Sequence, residues 1–198
     1  MSDALQQLKA ELERFGAAND AAVAERSRRM LNITRDTGEL LAVLVRAAVA
    51  RRVLEIGTSN GYSTLWLAEA AQSIGGEVTT VERSDLKVAM ARANFERSGL
   101  SAAIRQVHAA AGDVLARTAR ESVDLLFLDS ERSEYCAWWP EVDRVLRSGG
   151  LLVADNAVSH AAEMAEFVAL VRSRSGWASC LVPIGNGEFL AVKNAREP

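Results

Sequence analysis

The sequence predicts an α/β fold: a mostly parallel seven-stranded sheet, closed by a C-terminal antiparallel hairpin and preceded by extra N-terminal helices. Three observations predict it. Short apolar runs at residues 52–56, 77–82, 103–108, 123–129 and 150–155 alternate with helical segments of roughly 10 to 15 residues, the rhythm of a parallel sheet. Two of these runs, 123–129 and 150–155, are apolar without alternation, as in strands covered on both faces, so they should be central. Residues 179–184 and 188–192 flank Gly185-Asn186-Gly187, a turn cluster that predicts a hairpin and an antiparallel pair.

At the amino end, Leu5, Leu8, Leu12 and Phe15 recur at helical spacing, and a second helical pattern runs over residues 20–31. These helices precede the sheet and can cover it. The apolar stretch 40–49 is interrupted by Arg46 and is well short of the ~20 residues that span a bilayer. With 198 residues, 49% of them apolar, one sizeable core can be buried. No repeat or linker divides the chain, which gives one domain over 1–198, with helices in 1–50 and the α/β core in 51–198. The net charge of -3 and the lack of like-charge runs beyond Arg28-Arg29 and Arg51-Arg52 give no electrostatic reason to bind nucleic acid or an anionic membrane. The amino terminus mixes charges with leucines and lacks a signal-peptide core. Cys136 and Cys180 lie far apart outside any C-x-x-C pattern, and both read as core residues in a reducing cytoplasm.

The first strand runs into a glycine turn and then a helix, with the spacing E-x-G-x-x-x-G from Glu55 to Gly61. Gly57 and Gly61 permit a close backbone approach to a ligand, and the following helix offers free N–H groups to a carboxylate or phosphate. Ser63 adds a hydroxyl there. The dinucleotide fingerprint G-x-G-x-x-G is not met, because Ser59 stands at its second glycine and Asn60 intervenes; a pyrophosphate is disfavoured. Glu82 ends the second strand, where a carboxylate can accept hydrogen bonds from both hydroxyls of a ribose. Read singly, the glycines also suit a plain tight turn and Glu82 a solvated strand end.

Together these residues make the chain resemble class I S-adenosylmethionine-dependent methyltransferases. Within them it is similar to the catechol and caffeoyl-coenzyme A O-methyltransferases, over about residues 30–195. The resemblance implies a Rossmann-like fold in which Glu55, Gly57, Ser59, Gly61 and Ser63 surround the methionine end of the cofactor and Glu82 holds its ribose. It implies that Asn32, Ile33 and Thr34 cover the cofactor, and that Ala111, Gly112 and Asp113 form the adenine-side loop. Small residues at 111 and 112 shift adenine contacts toward backbone. The resemblance also sets Asp129 beside the cofactor.

Asp129 and the pair Asp155-Asn156 end two apolar strands, so they can converge at the carboxyl edge of the sheet. Two carboxylates and an amide oxygen suit Mg²⁺ or another hard divalent cation, and the same trio binds a metal in the family resembled. Asp129 and Asp155 can equally cap neighbouring loops. Arg132 stands where relatives often place a lysine; a guanidinium is no base, but it can hold an anionic acceptor or orient an oxygen. His160, just past the trio, is a candidate base or a helix-capping residue. His108 reads as structural, and at least one of Trp138 and Trp139 as core.

The function expected is methyl transfer to a hydroxyl of a small-molecule acceptor, assisted by a divalent cation. A cofactor-binding protein without transfer activity, a tRNA-modifying methyltransferase and a nicotinamide oxidoreductase are the competing readings. A homodimer through the alanine-rich stretches 17–23 and 40–50 is expected, since the family commonly dimerises.

Overall fold

A computed structural model describes residues 3–194; the ends of the expected 1–198 domain, residues 1–2 and 195–198, lie outside the described residues. Seven strands form one sheet in the order β3-β2-β1-β4-β5-β7-β6. They are β1 (Arg52–Ile56), β2 (Glu77–Glu82), β3 (Ile104–His108), β4 (Val123–Leu128), β5 (Leu146–Ala154), β6 (Trp177–Val182) and β7 (Glu188–Lys193). The first five pair in parallel, while β7 inserts antiparallel between β5 and β6. As the apolar runs predict, β4 is central and all six of its residues are buried.

Helices α1 (Asp3–Ala22), α2 (Arg35–Ala47), α3 (Tyr62–Ser73) and α4 (Asp85–Ser98) belong to one side of the sheet. Leu8, Leu41, Leu65 and Phe95 from them pack with Val53, Leu125 and Val153. Helices α5 (Ala111–Arg117), α6 (Tyr135–Val145) and α7 (Ala161–Arg172) cover the other side, where Leu115, Trp139 and Phe167 meet Leu54, Leu126 and Leu152. Alternate residues of one strand thus serve two cores. Trp139 is buried and Trp138 packs partly against the same core. Asp124, the polar residue inside β4, is matched by Arg52 and Arg147 at 2.8 and 2.7 Å.

Two expectations need correction. Residues 20–31 do not form a second helix: α1 continues to Ala22 and the chain then turns back through a short 3-10 turn, Arg26–Arg28. The cause is local capping. Asp20 accepts the backbone N–H groups of Met30 (2.6 Å) and Leu31 (2.8 Å), and Arg29 donates to the Val23 carbonyl (2.6 Å), so side chains take the groups a helix would pair. The cysteines are not core residues either. Cys180 is exposed, because β6 is an edge strand whose middle residues are uncovered on both faces, and Cys136, on α6, is only half-buried at the margin of the core.

Candidate active site

The strand order reverses between β1 and β4, and in an open α/β sheet the crevice at the carboxyl ends beside that reversal is where ligands sit. The chain brings its chemistry there. After Ile56 the backbone crosses toward β2, with the N–H groups of Gly57 and Thr58 donating to the Val81 carbonyl (3.0 and 3.2 Å), while Asp129 N–H donates to the Ile56 carbonyl (2.9 Å). Gly57 has φ +108°, and a β-carbon on it would overlap the Asp129 carbonyl oxygen. At Gly61 (φ +88°) a β-carbon would run into Phe95. The protein's own packing therefore already requires glycine at both positions.

Ser59, at φ +48°, presents its backbone N–H to Glu82 Oε2 (2.9 Å), and its hydroxyl donates to the Met30 carbonyl (2.6 Å). Glu82 Oε1 also accepts from the N–H groups of Arg83 and Ser84, both at 2.9 Å. A half-buried carboxylate is thus fixed at the end of β2, level with the glycine turn. Glu55 lies beneath it, wholly buried, and accepts from Ser63 Oγ (2.5 Å), Thr64 Oγ1 (2.5 Å) and Thr80 Oγ1 (2.6 Å). Burial pushes its carboxyl up to about 7 despite these three hydroxyls. Ser63 spends its hydroxyl on Glu55 and Asn60 Oδ1 accepts the Tyr62 N–H (3.2 Å), which leaves the next backbone N–H groups of the first turn of α3, those of Ser63 and Thr64, for an anionic ligand.

The segment before α2 joins this crevice through the Ser59–Met30 bond. Ile33 is a core residue packed among the N-terminal helices. Asn32 Nδ2 donates to the Leu12 carbonyl (3.0 Å), and Thr34 caps α2 by accepting from Thr37 N–H (3.2 Å). On the β3 side, Ala111 and Gly112 open α5, and Gly112 lies beside the Trp138 indole. Asp113, in the first turn of α5, lines a cavity of about 510 Å³ with Arg52, Thr79, Arg105 and Arg117.

Asp129 and Asp155 follow the registered pair Leu128↔Ala154, so they stand side by side on adjacent parallel strands. Burial, then the carboxylates of Asp155 and Glu55, hold Asp129 well above the usual carboxylate range, opposed by Arg132 and Lys87. Burial also raises Asp155, whose oxygens accept Asn156 N–H (2.6 Å) and Asn156 Nδ2 (2.7 Å). Asn156 has φ +68°, a left-handed conformation that Asn tolerates. Arg132 is buried, its side chain 6% exposed, and its Nε donates to Glu163 at 2.8 Å. His160 precedes α7 and its Nδ1 lies 2.9 Å from Ser159 Oγ. His108 is tied to the Arg83 carbonyl at 3.2 Å, away from the trio.

Two residues of this region escape the sequence reading. Lys87 on α4 faces Glu82 and Asp129 electrostatically, and burial lowers its pKa. Glu188, the first residue of β7, is wholly buried. The register Ala154↔Phe189 sets it beside Asp155, and its Oε1 accepts from Thr37 Oγ1 at 3.0 Å. Its Oε2 meets no donor and faces Asp155; two ionised carboxylates there would repel, so they hold a proton between them. Burial and then Asp155 push Glu188 up to about 10.

Comparison with known proteins agrees with this geometry. The family model described as O-methyltransferase matches residues 6–193, and the chain belongs to that family. It is 35% identical over 150 residues to a catechol O-methyltransferase from Mycobacterium tuberculosis, across 76% of this chain and 66% of the relative. It is 30% identical over 140 residues to a catechol O-methyltransferase from Niastella koreensis, across 69% of this chain and 63% of the relative. The chain thus spans about two thirds of the length of each. The crystal structure of the O-methyltransferase from Bacillus cereus in complex with SAH superposes with a TM-score of 0.80 at 26% identity, covering 95% of this chain and 91% of that one. The fold is the Rossmann-like methyltransferase fold. Among the described residues no helix is long and apolar enough to cross a membrane.

Proposed function

We propose that this chain is an S-adenosylmethionine-dependent O-methyltransferase that methylates a hydroxyl of a small acceptor, assisted by a divalent cation. The observation that carries the reading is the convergence of the Gly57–Gly61 turn, the Glu82 carboxylate and the Asp129–Asp155 pair at the β1/β4 reversal. A half-buried carboxylate beside free helix N–H groups fits a ribose next to an amino-acid carboxylate. The SAH held by the Bacillus cereus relative carries both groups.

The donor set also fits a cation. Burial raises the cost of ionising both Asp129 and Asp155, and the Asp155 carboxylate adds to it at Asp129, a strain that a bound cation relieves. Asn156 would complete the trio by turning its amide oxygen to the place where its nitrogen now meets Asp155. When bound, such an ion makes an acceptor hydroxyl more acidic. S-adenosylmethionine supplies an electrophilic methyl on a sulfonium.

The residues of this chain do the rest. Glu82 orients the ribose through its free lone pairs, and the start of α3 takes the carboxylate. Arg132 cannot accept a proton, so its buried guanidinium holds the acceptor oxygen as it becomes anionic. His160, which precedes α7 just past the trio, takes the proton that leaves the hydroxyl. The oxygen then bonds to the methyl carbon as the carbon–sulfur bond breaks, releasing S-adenosylhomocysteine.

Titration calorimetry with S-adenosylmethionine and a transfer assay over catechols, with Mg²⁺ or a chelator, tests this. Cofactor binding with chelator-sensitive transfer is expected, and Asp155→Ala should abolish most transfer while leaving cofactor affinity nearly intact. Binding without transfer would mark a cofactor-binding protein instead. We also propose a cytoplasmic, single-domain protein that forms a homodimer through the stretches 17–23 and 40–50, where Val43 is 62% exposed; sedimentation showing a monomer at micromolar concentration would remove the dimer.

A further inference from the structure

Glu188 is expensive to bury, and a leucine would fill the same space without a charge to neutralise. What it touches gives the reason. The hairpin turn that leads into it holds two other parts of the crevice. The Asn186 carbonyl accepts from Val158 N–H (3.1 Å) and Ser159 N–H (2.9 Å), and the Gly187 carbonyl accepts from Ala157 N–H (2.8 Å). Gly185 (φ +58°) lies so close to Thr34 and Thr37 that a β-carbon would overlap both hydroxyls. The turn is therefore clasped between the cap of α2 and the loop 156–160 that follows Asp155. Glu188 closes the clasp from inside, accepting from Thr37 at 3.0 Å and lying against Asp155 in register.

We propose that Glu188 is a positioning residue: through Thr37 and Asp155 it sets the acceptor-side carboxylate at a fixed distance from helix α2 and the cofactor cover that precedes it. The proposal rests on the methyltransferase reading for its kinetic consequence, but not for its structural one. Glu188 touches neither reacting atom; its effect passes through Asp155. Rigid placement matters because displacing reactants by about 1 Å can cost on the order of a hundredfold in rate.

The test compares wild type with Glu188→Leu, Glu188→Gln and Thr37→Val. In wild type, calorimetric binding of S-adenosylmethionine and methyl transfer to catechol with Mg²⁺ decide the functional reading by themselves. Glu188→Leu should keep cofactor affinity within about twofold and lower kcat by about tenfold or more, with a raised KM for catechol. Glu188→Gln should restore kcat to within about threefold, because its amide donates to Asp155 and its carbonyl accepts from Thr37. Thr37→Val should lower kcat by about threefold.

Hydrogen exchange of the backbone amides of residues 156–160 should quicken in Glu188→Leu and not in Glu188→Gln, a readout that needs no activity. A folded Glu188→Leu with wild-type kcat, KM and exchange would overturn the proposal, as would a Glu188→Gln as damaged as the leucine variant. If Glu188→Leu does not fold, Thr37→Val decides: unchanged kcat and unchanged exchange overturn the clasp, and a lowered kcat with quickened exchange supports it. If wild type transfers no methyl, the functional reading fails and the exchange arm alone decides the clasp.

Discussion

Glu82 shows how much of a residue's role is set by its backbone neighbours. Three N–H groups, from Ser59, Arg83 and Ser84, reach its carboxylate, so it is aimed before any ligand arrives, and little rotamer entropy remains to be lost on binding. Glu82→Ala should weaken S-adenosylmethionine binding by about 1 to 3 kcal/mol, the worth of charge-assisted hydrogen bonds; unchanged affinity by calorimetry would count against the site. The carboxylates on strand ends, Glu82, Asp129 and Asp155, were legible in the sequence because an acidic residue closing an apolar run has one place to go in a parallel sheet. Glu188 was not. It follows Gly187 and reads as the polar edge of a turn, and its burial depends on β7 being inserted next to β5, a long-range pairing with no local signature. Nor was the occupation of Ser63 by Glu55 legible, since both residues are separately suited to a ligand.

Among the elements, the strand–turn–helix from β1 to α3 carries the tightest fit. The glycine spacing suits close approach of a ligand, and the β-carbon at Gly57 would also strike the backbone just past the end of β4. Sequence cannot tell these apart, because both demand the same absent side chain. They differ in what a substitution does. Gly57→Val combines φ +108° with a backbone overlap, so it should cost on the order of 3 kcal/mol of stability or leave no folded protein. Gly99→Ala is the control: φ is +72° there, with nothing within 4 Å of the added carbon, and the cost should be about 1 kcal/mol. Chemical denaturation of the two variants without cofactor checks this; a Gly57→Val as stable as Gly99→Ala would return the glycine to a ligand-only role. The misread helix at residues 20–31 belongs to this scale as well. Its apolar spacing suited a helix, and Asp20, capping Met30 and Leu31 from ten and eleven residues back, outweighed it.

At the scale of the whole molecule, acidic groups buried at one edge of the sheet should make the free protein's stability depend on pH in an unusual sense. Glu55 passes from an ordinary 4.5 to about 7 on folding, so the folded chain holds its proton more tightly than the unfolded one. Below about 4.5 both states are protonated and burial carries no ionic penalty; as pH rises through about 7 the folded state must ionise a buried group, and stability falls. The difference between 4.5 and about 7 corresponds to about 3 kcal/mol. Glu188 is raised too, to about 10, as are Asp129 and Asp155, and all act in the same sense. Asp124 acts oppositely. Against its own burial, Arg52 and Arg147 hold it at about 2, so its contribution is present above 3.8 and lost as pH falls through about 2. Between these windows the free protein should be most stable in mild acid, with a thermal midpoint that declines from pH ~5 to pH ~8. Glu55→Gln should remove the part of that decline centred between 4.5 and about 7, because a glutamine has no proton to lose there. Parallel wild-type and Glu55→Gln profiles would show that Glu55 is ionised at no greater cost in the folded chain than outside it. Added Mg²⁺ should lift the wild-type midpoint most at the alkaline end, where Asp129 and Asp155 carry the charge a cation would neutralise.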